Sequence, residues 1–155
     1  MEIRAHDEQP IRGALQQTPR KRRLLLAEDD PDLRNLLALR LRRAGYEVVE
    51  AADGAELLSL VESSVWHHDR DPFMAIVSDV MMPDVSGVDA LAGRRWGGWT
   101  TPVILMTASR DQRIREDART LGAAAVLQKP FDTDVLCDML QTLSGRRSSP
   151  PRWSA

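Results

Sequence analysis

Residues 23–41 read RLLLAEDDPDLRNLLALRL, and this stretch decides the fold. A short apolar run, 23–27, has the character of a strand and stops abruptly at Glu28-Asp29-Asp30. Pro31 then opens a segment whose Leu33, Leu36, Leu37 and Leu41 recur at helical spacing, with Ala44-Gly45 closing it. Asp30 fits the N-cap position ahead of the proline. The unit is a strand that runs through acids into a helix.

The same unit returns four more times. Tyr46–Glu50 reads as a second strand, followed by a capping-box pattern at Asp53-Gly-Ala-Glu56 and a helix through Leu57, Leu58, Val61 and Val65. Met74–Ser78 is apolar almost throughout, as a strand buried on both faces should be. A third helix starts near Val88 but is interrupted by Gly93, Gly97 and Gly98. Pro102–Met106 is a further apolar strand, leading to a helix from Asp111 to Gly122 marked by Ile114, Ala118 and Leu121. Ala124–Gln128 is the fifth strand, and Val135, Leu136, Met139, Leu140 and Leu143 give the last helix its apolar stripe. Five alternating strand–helix units predict an α/β fold, a doubly wound parallel five-stranded sheet covered on both sides.

Composition is consistent with one such domain. The 155 residues are 43% hydrophobic, enough for a core, and no apolar run approaches the length of a membrane span. The N-terminus lacks the apolar stretch of a signal peptide, and Cys137 is the single cysteine, which excludes an internal disulfide and fits a cytoplasmic setting. The net charge of −2 conceals an asymmetry: residues 1–23 and 145–155 each hold +3, while 24–144 hold 12 basic and 20 acidic side chains. An acidic body argues against a nucleic-acid groove. Residues 1–21 and 145–155 read as flexible tails around a domain at 22–144.

A parallel sheet carries its chemistry at the carboxyl ends of its strands. There the sequence offers Glu28 and Asp29 after the first strand, Asp79 after the third, Thr107 after the fourth and Lys129-Pro130 after the fifth. Three clustered carboxylates repel one another unless a cation offsets them. Oxygen ligands without neighbouring His or Cys favour Mg²⁺ (or Mn²⁺) over zinc. One carboxylate can then stay ionised and attack phosphorus, giving an acyl phosphate, with an ammonium and a hydroxyl to neutralise the phosphoryl oxygens. Lys129 stands out because the chain has only two lysines, Lys21 and Lys129, among 21 basic residues; a compact ammonium suits a tight phosphate pocket. Asp53, Asp111 and Asp132 read as caps or turn formers. His67-His68-Asp69 reads as a solvated loop, and Met81-Met82 as packing residues.

The runs LLLAEDDPDLRNLL, VSDVMMPDVSG, PVILMTA and GAAAVLQKPF, in this order, resemble the receiver domain of two-component response regulators over about residues 22–144. The resemblance implies a flavodoxin-like fold with strand order 2-1-3-4-5. It implies that Asp79 accepts a phosphoryl group from a sensor histidine kinase or a histidine phosphotransfer protein. Asp29, Asp79 and the backbone carbonyl of Met81 would bind the metal directly, and Glu28 through water. Thr107 matches the switch hydroxyl, Lys129 the lysine that contacts the phosphoryl group, Pro130 a proline usually preceded by a cis bond, and Gly87 the glycine after the phosphoacceptor loop. Output would pass to a downstream protein through the face of the fourth helix, fifth strand and fifth helix. With little chain after Leu143, a stand-alone regulator is the expectation.

This chain departs from the family in two places. Val126 stands where many receivers carry an aromatic residue, which puts the usual hydroxyl–aromatic coupling in doubt, and the connection from Val65 to Phe73 is longer than usual. Two other readings compete. An aspartate-based phosphohydrolase would ordinarily carry a second Asp two residues after its nucleophile, where this chain has Met81. A receiver that binds partners without phosphorylation would not need the full set of Glu28, Asp29, Asp79, Thr107 and Lys129.

Overall fold

The computed structural model describes residues 22–66, 73–97 and 100–145. Ten elements alternate along the chain: β1 (Arg23–Ala27), α1 (Pro31–Arg43), β2 (Glu47–Ala51), α2 (Gly54–Trp66), β3 (Ala75–Asp79), α3 (Gly87–Gly97), β4 (Val103–Thr107), α4 (Gln112–Thr120), β5 (Ala125–Gln128) and α5 (Thr133–Gly145). The strands pair in parallel in the order β2-β1-β3-β4-β5. Every expected strand and helix is present, with ends moved by one or two residues. Gly145, assigned above to the tail, instead closes α5. His67-His68-Asp69 and the tails at 1–21 and 146–155 lie outside the described residues.

Side-chain alternation along the strands builds two cores, one on each face of the sheet. Leu24, Leu26, Val77, Ile104, Met106 and Leu127 meet Leu37, Ala38 and Leu41 of α1 and Leu136 and Leu140 of α5. Leu25, Ala27, Ile76, Val103 and Leu105 meet Leu57 and Val61 of α2, Ala90 and Leu91 of α3 and Ala118 of α4. Both β3 and β4 are buried at every position, which is why they read as apolar almost until their polar last residues, Asp79 and Thr107. Each fully buried leucine contributes about 1.5–3 kcal/mol. Two stripe residues are not in the core: Leu36 and Val135 are exposed. Each precedes a buried leucine by one position, a rotation of about 100° that carries it to the solvent side.

The helix starts follow their caps. Asp30 accepts hydrogen bonds from the amides of Asp32 (2.9 Å) and Leu33 (3.3 Å), and Asp111 from that of Arg113 (2.9 Å). At α2 the Asp53 carboxylate takes the Glu56 amide at 2.8 Å, while Glu56 reaches back to the amide of Ala52, one residue before the cap, at 2.7 Å. The start of α3 has an unforeseen reciprocal box: Ser86 Oγ accepts from the Asp89 amide at 3.0 Å, and Asp89 accepts from both the amide and the hydroxyl of Ser86. Those bonds hold the Asp89 carboxyl below its ordinary pKa.

The third helix is the main correction. It runs unbroken through Gly93 to Gly97, because its buried Ala90 and Leu91 and its cap outweigh the ~1 kcal/mol that one glycine costs. Gly87, by contrast, is required: a Cβ there would lie 2.4 Å from the backbone oxygen of Asp79 and 3.1 Å from Leu105 Cδ2. Nothing lies within 4 Å of the corresponding point at Gly93. Gly87→Ala is expected to lower stability in urea denaturation by roughly 1–3 kcal/mol, and Gly93→Ala to raise it by roughly 0.5–1 kcal/mol.

Candidate functional site

The site forms where four strands end side by side. Glu28 continues β1 by one residue, its amide donating to Ala51 at 3.1 Å, and its carbonyl accepts from Arg34 Nη1 of α1 at 2.8 Å. Asp79 is the last residue of β3 and Thr107 the last of β4. Lys129 follows β5, joined to Pro130 by a cis peptide bond as the resemblance implies. Glu28 is only 1% exposed and Asp79 5%, while Asp29 faces solvent.

The Lys129 ammonium is the hub. It donates to Glu28 Oε2 at 2.8 Å and to Asp79 Oδ2 at 2.5 Å, joining residues 101 and 50 positions away in sequence. The second oxygens of both carboxylates are also used: Glu28 Oε1 accepts from the Asp30 amide at 3.2 Å, and Asp79 Oδ1 from the Met81 amide at 2.9 Å. Burial pushes the Glu28 carboxyl above its ordinary pKa, although the hydrogen bond from Lys129 pulls the other way. For Lys129 burial acts to lower the pKa, but its bonds to Asp79 and Glu28 outweigh this, and the value is raised. The ammonium therefore stays charged throughout the neutral range, and its contribution to folding is lost only as pH rises through the raised lysine value.

The acidic set is compact. One carboxylate oxygen each from Glu28, Asp29 and Asp79 lie within 4.8 Å of one another. A hard cation is suited to such a cluster, since all three donors are oxygen and one of them, Asp29, is open to solvent. Thr107 is fully buried and its Oγ1 accepts from the Ser109 amide at 3.0 Å. The Met81 amide faces Asp79, but its side chain is 65% exposed, so only Met82 of the pair packs into the core. The fold thus gathers Glu28, Asp29, Asp79 and Lys129 and ends β4 beside them with Thr107.

Three contributors lie outside the set of site residues that the sequence offered. Arg34 holds the Glu28 carbonyl and pairs with Glu50 at 3.5 Å; Ser109 supplies an amide to Thr107; Gln128 hydrogen-bonds the Thr107 and Lys129 carbonyls. Each acts through a side-chain-to-backbone or amide contact, which depends on tertiary geometry more than on residue type.

A five-stranded 2-1-3-4-5 sheet bearing this acidic–lysine cluster at its carboxyl edge defines a receiver domain. The profile of the response regulator receiver domain matches residues 24–141, and the chain belongs to that family. The transcriptional regulatory protein PdtaR of Mycobacterium tuberculosis is 37% identical over 129 residues, 81% of this chain and 58% of PdtaR. The chain spans about half the length of the curated relatives it matches. Among solved structures, the receiver domain of the Francisella response regulator 1452 superposes with a TM-score of 0.72 at 27% identity, covering 81% of this chain and 98% of that one. The receiver domain of the sensor histidine kinase PA1611 from Pseudomonas aeruginosa, solved with magnesium in its active-site cleft, gives 0.69 at 31% identity, with 81% and 98% covered. No helix among the described residues is long and apolar enough to cross a membrane.

The charge balance can be tested directly. Removing the ammonium in Lys129→Met should raise the Glu28 carboxyl pKa further, because a lowering influence is lost while burial remains. Carbon-detected NMR titration of the Glu28 carboxyl checks this; an unchanged or lower value would contradict it.

Proposed function

We propose that Asp79 is the phosphoacceptor of this receiver, taking a phosphoryl group from a histidine kinase or a histidine phosphotransfer protein. One Asp79 oxygen forms the bond to phosphorus as the donor's nitrogen–phosphorus bond breaks, and the histidine leaves as imidazole after taking up a proton. The observation that carries the reading is the placement of Asp79: a nearly buried carboxylate at the end of β3, within the acidic cluster and held by Lys129. A buried carboxylate held so close to other acids needs a functional or structural reason, and phosphoryl acceptance supplies one.

The remaining roles rest on the pattern of the receiver family, supported by the acidic cluster at the strand ends. Asp29, Asp79 and the Met81 carbonyl would hold Mg²⁺ (or Mn²⁺), with Glu28 acting through water; the cation supplies charge neutralisation on the phosphoryl oxygens. Lys129 adds a second positive charge, and Thr107, at the neighbouring strand end, offers its hydroxyl to the product. The new charge and acceptors at this edge would shift the balance between two packings of the surrounding elements. A downstream protein would read that shift on the face formed by α4, β5 and α5. The domain acts as a switch and not as a turnover enzyme: Met81 stands where an aspartate phosphohydrolase would carry its acid.

Asp79→Asn is expected to reduce labelling by acetyl phosphate to background, with the wild-type label acid-stable and released by hydroxylamine. A hydroxylamine-sensitive label that persists in the variant would show that another carboxylate is the acceptor. Removing divalent cations with a chelator should likewise stop labelling of the wild type, and Mg²⁺ should restore it; labelling that ignores the chelator would overturn the metal assignment.

A further inference from the structure

Gln128 is the last residue of β5 and the register partner of Thr107 on β4. Its side-chain amide nitrogen donates to the Thr107 carbonyl at 3.1 Å and to the Lys129 carbonyl at 3.3 Å. The Lys129 amide donates to the same Thr107 carbonyl at 2.7 Å, so the last rung of the ladder is closed twice. At its other end the Gln128 side-chain oxygen accepts from Arg115 Nη2 of α4 at 2.7 Å.

These partners leave the amide one orientation. Arg115 can only donate and the two carbonyls can only accept, so turning the Gln128 amide over would set donor against donor and acceptor against acceptors. Gln128 shares its face of β5 with Val126, which packs into the core beneath α2, α3 and α4. It is therefore a polar fixture between α4 and the two strand ends that carry Thr107 and Lys129.

We propose that Gln128 is a positioning residue for phosphoryl acceptance, one that fixes the peptide of Thr107 and so the direction of its hydroxyl. The proposal rests on the reading of Asp79 as phosphoacceptor with Thr107 beside it. Gln128 touches no reacting atom; it acts through the backbone of a residue that does.

The experiment measures binding of beryllofluoride, a phosphoryl mimic, in the presence of Mg²⁺ by calorimetry. Gln128→Leu removes the amide, and Gln128→Glu keeps its shape while turning the donor into an acceptor. Both should weaken beryllofluoride binding roughly five- to tenfold, the equivalent of one hydrogen bond. In a Thr107→Ala background the same substitutions should cost about twofold or less, because the hydroxyl they position is gone. An equal loss in both backgrounds would mean that Gln128 serves general stability only, and no loss in either would remove it from the site; both overturn the proposal. Wild-type protein that fails to bind beryllofluoride would overturn the phosphoacceptor reading and the positioning role together, an outcome distinct from loss confined to the variants.

Discussion

One ammonium group between two nearly buried carboxylates is the constraint on which the carboxyl edge of this sheet depends. Glu28 and Asp79 stand at the ends of adjacent strands, β1 and β3, where two unscreened negative charges could not both persist. Lys129 leaves the edge strand β5 and passes the end of β4 to reach them both. The backbone around it is organised to the same end: Arg34 fixes the Glu28 carbonyl, the Met81 amide fixes Asp79, and Gly87 lets α3 start against the Asp79 peptide. A larger residue at 87 or a shorter one at 129 would disturb the same few atoms.

Most of this arrangement was legible in the sequence. The strands were readable because four of them are short apolar runs that end in polar residues, and the helices because proline, Asp30, Asp53 and Asp111 mark their starts. The site residues could be found because a polar side chain directly after a buried strand has few bland explanations. The failures are local and have a common cause. Leu36 and Val135 belong to apolar runs, but only the packing of α1 and α5 decides which residue of a neighbouring pair turns inward. Gly93 reads as a breaker, yet the reciprocal Ser86–Asp89 cap and the buried Ala90 and Leu91 carry the helix past it.

Gln128 and Arg34 illustrate a different limit. A glutamine at a strand end and an arginine in an amphipathic helix are ordinary surface residues by pattern. Their partners are carbonyl oxygens, which every residue possesses, so no pairing of residue types announces the contact. At Val126 the departure from the family was visible in sequence, and the structure shows a partly buried valine packed against the core on the side of α2, α3 and α4. No ring is present at that position to move in or out. What links α4 to the strand ends here is instead hydrogen bonding, from Arg115 through Gln128 to Thr107.

The arginine bias of the chain has a practical corollary. Lys129 is the single lysine among the described residues, and its amine is engaged by two carboxylates that keep it protonated. A protonated, doubly bonded amine is a poor nucleophile, so acylating reagents would find it inert until the carboxylates release it. The domain thus carries a chemically addressable reporter at its own centre, one whose modification rate reads how often that clasp opens.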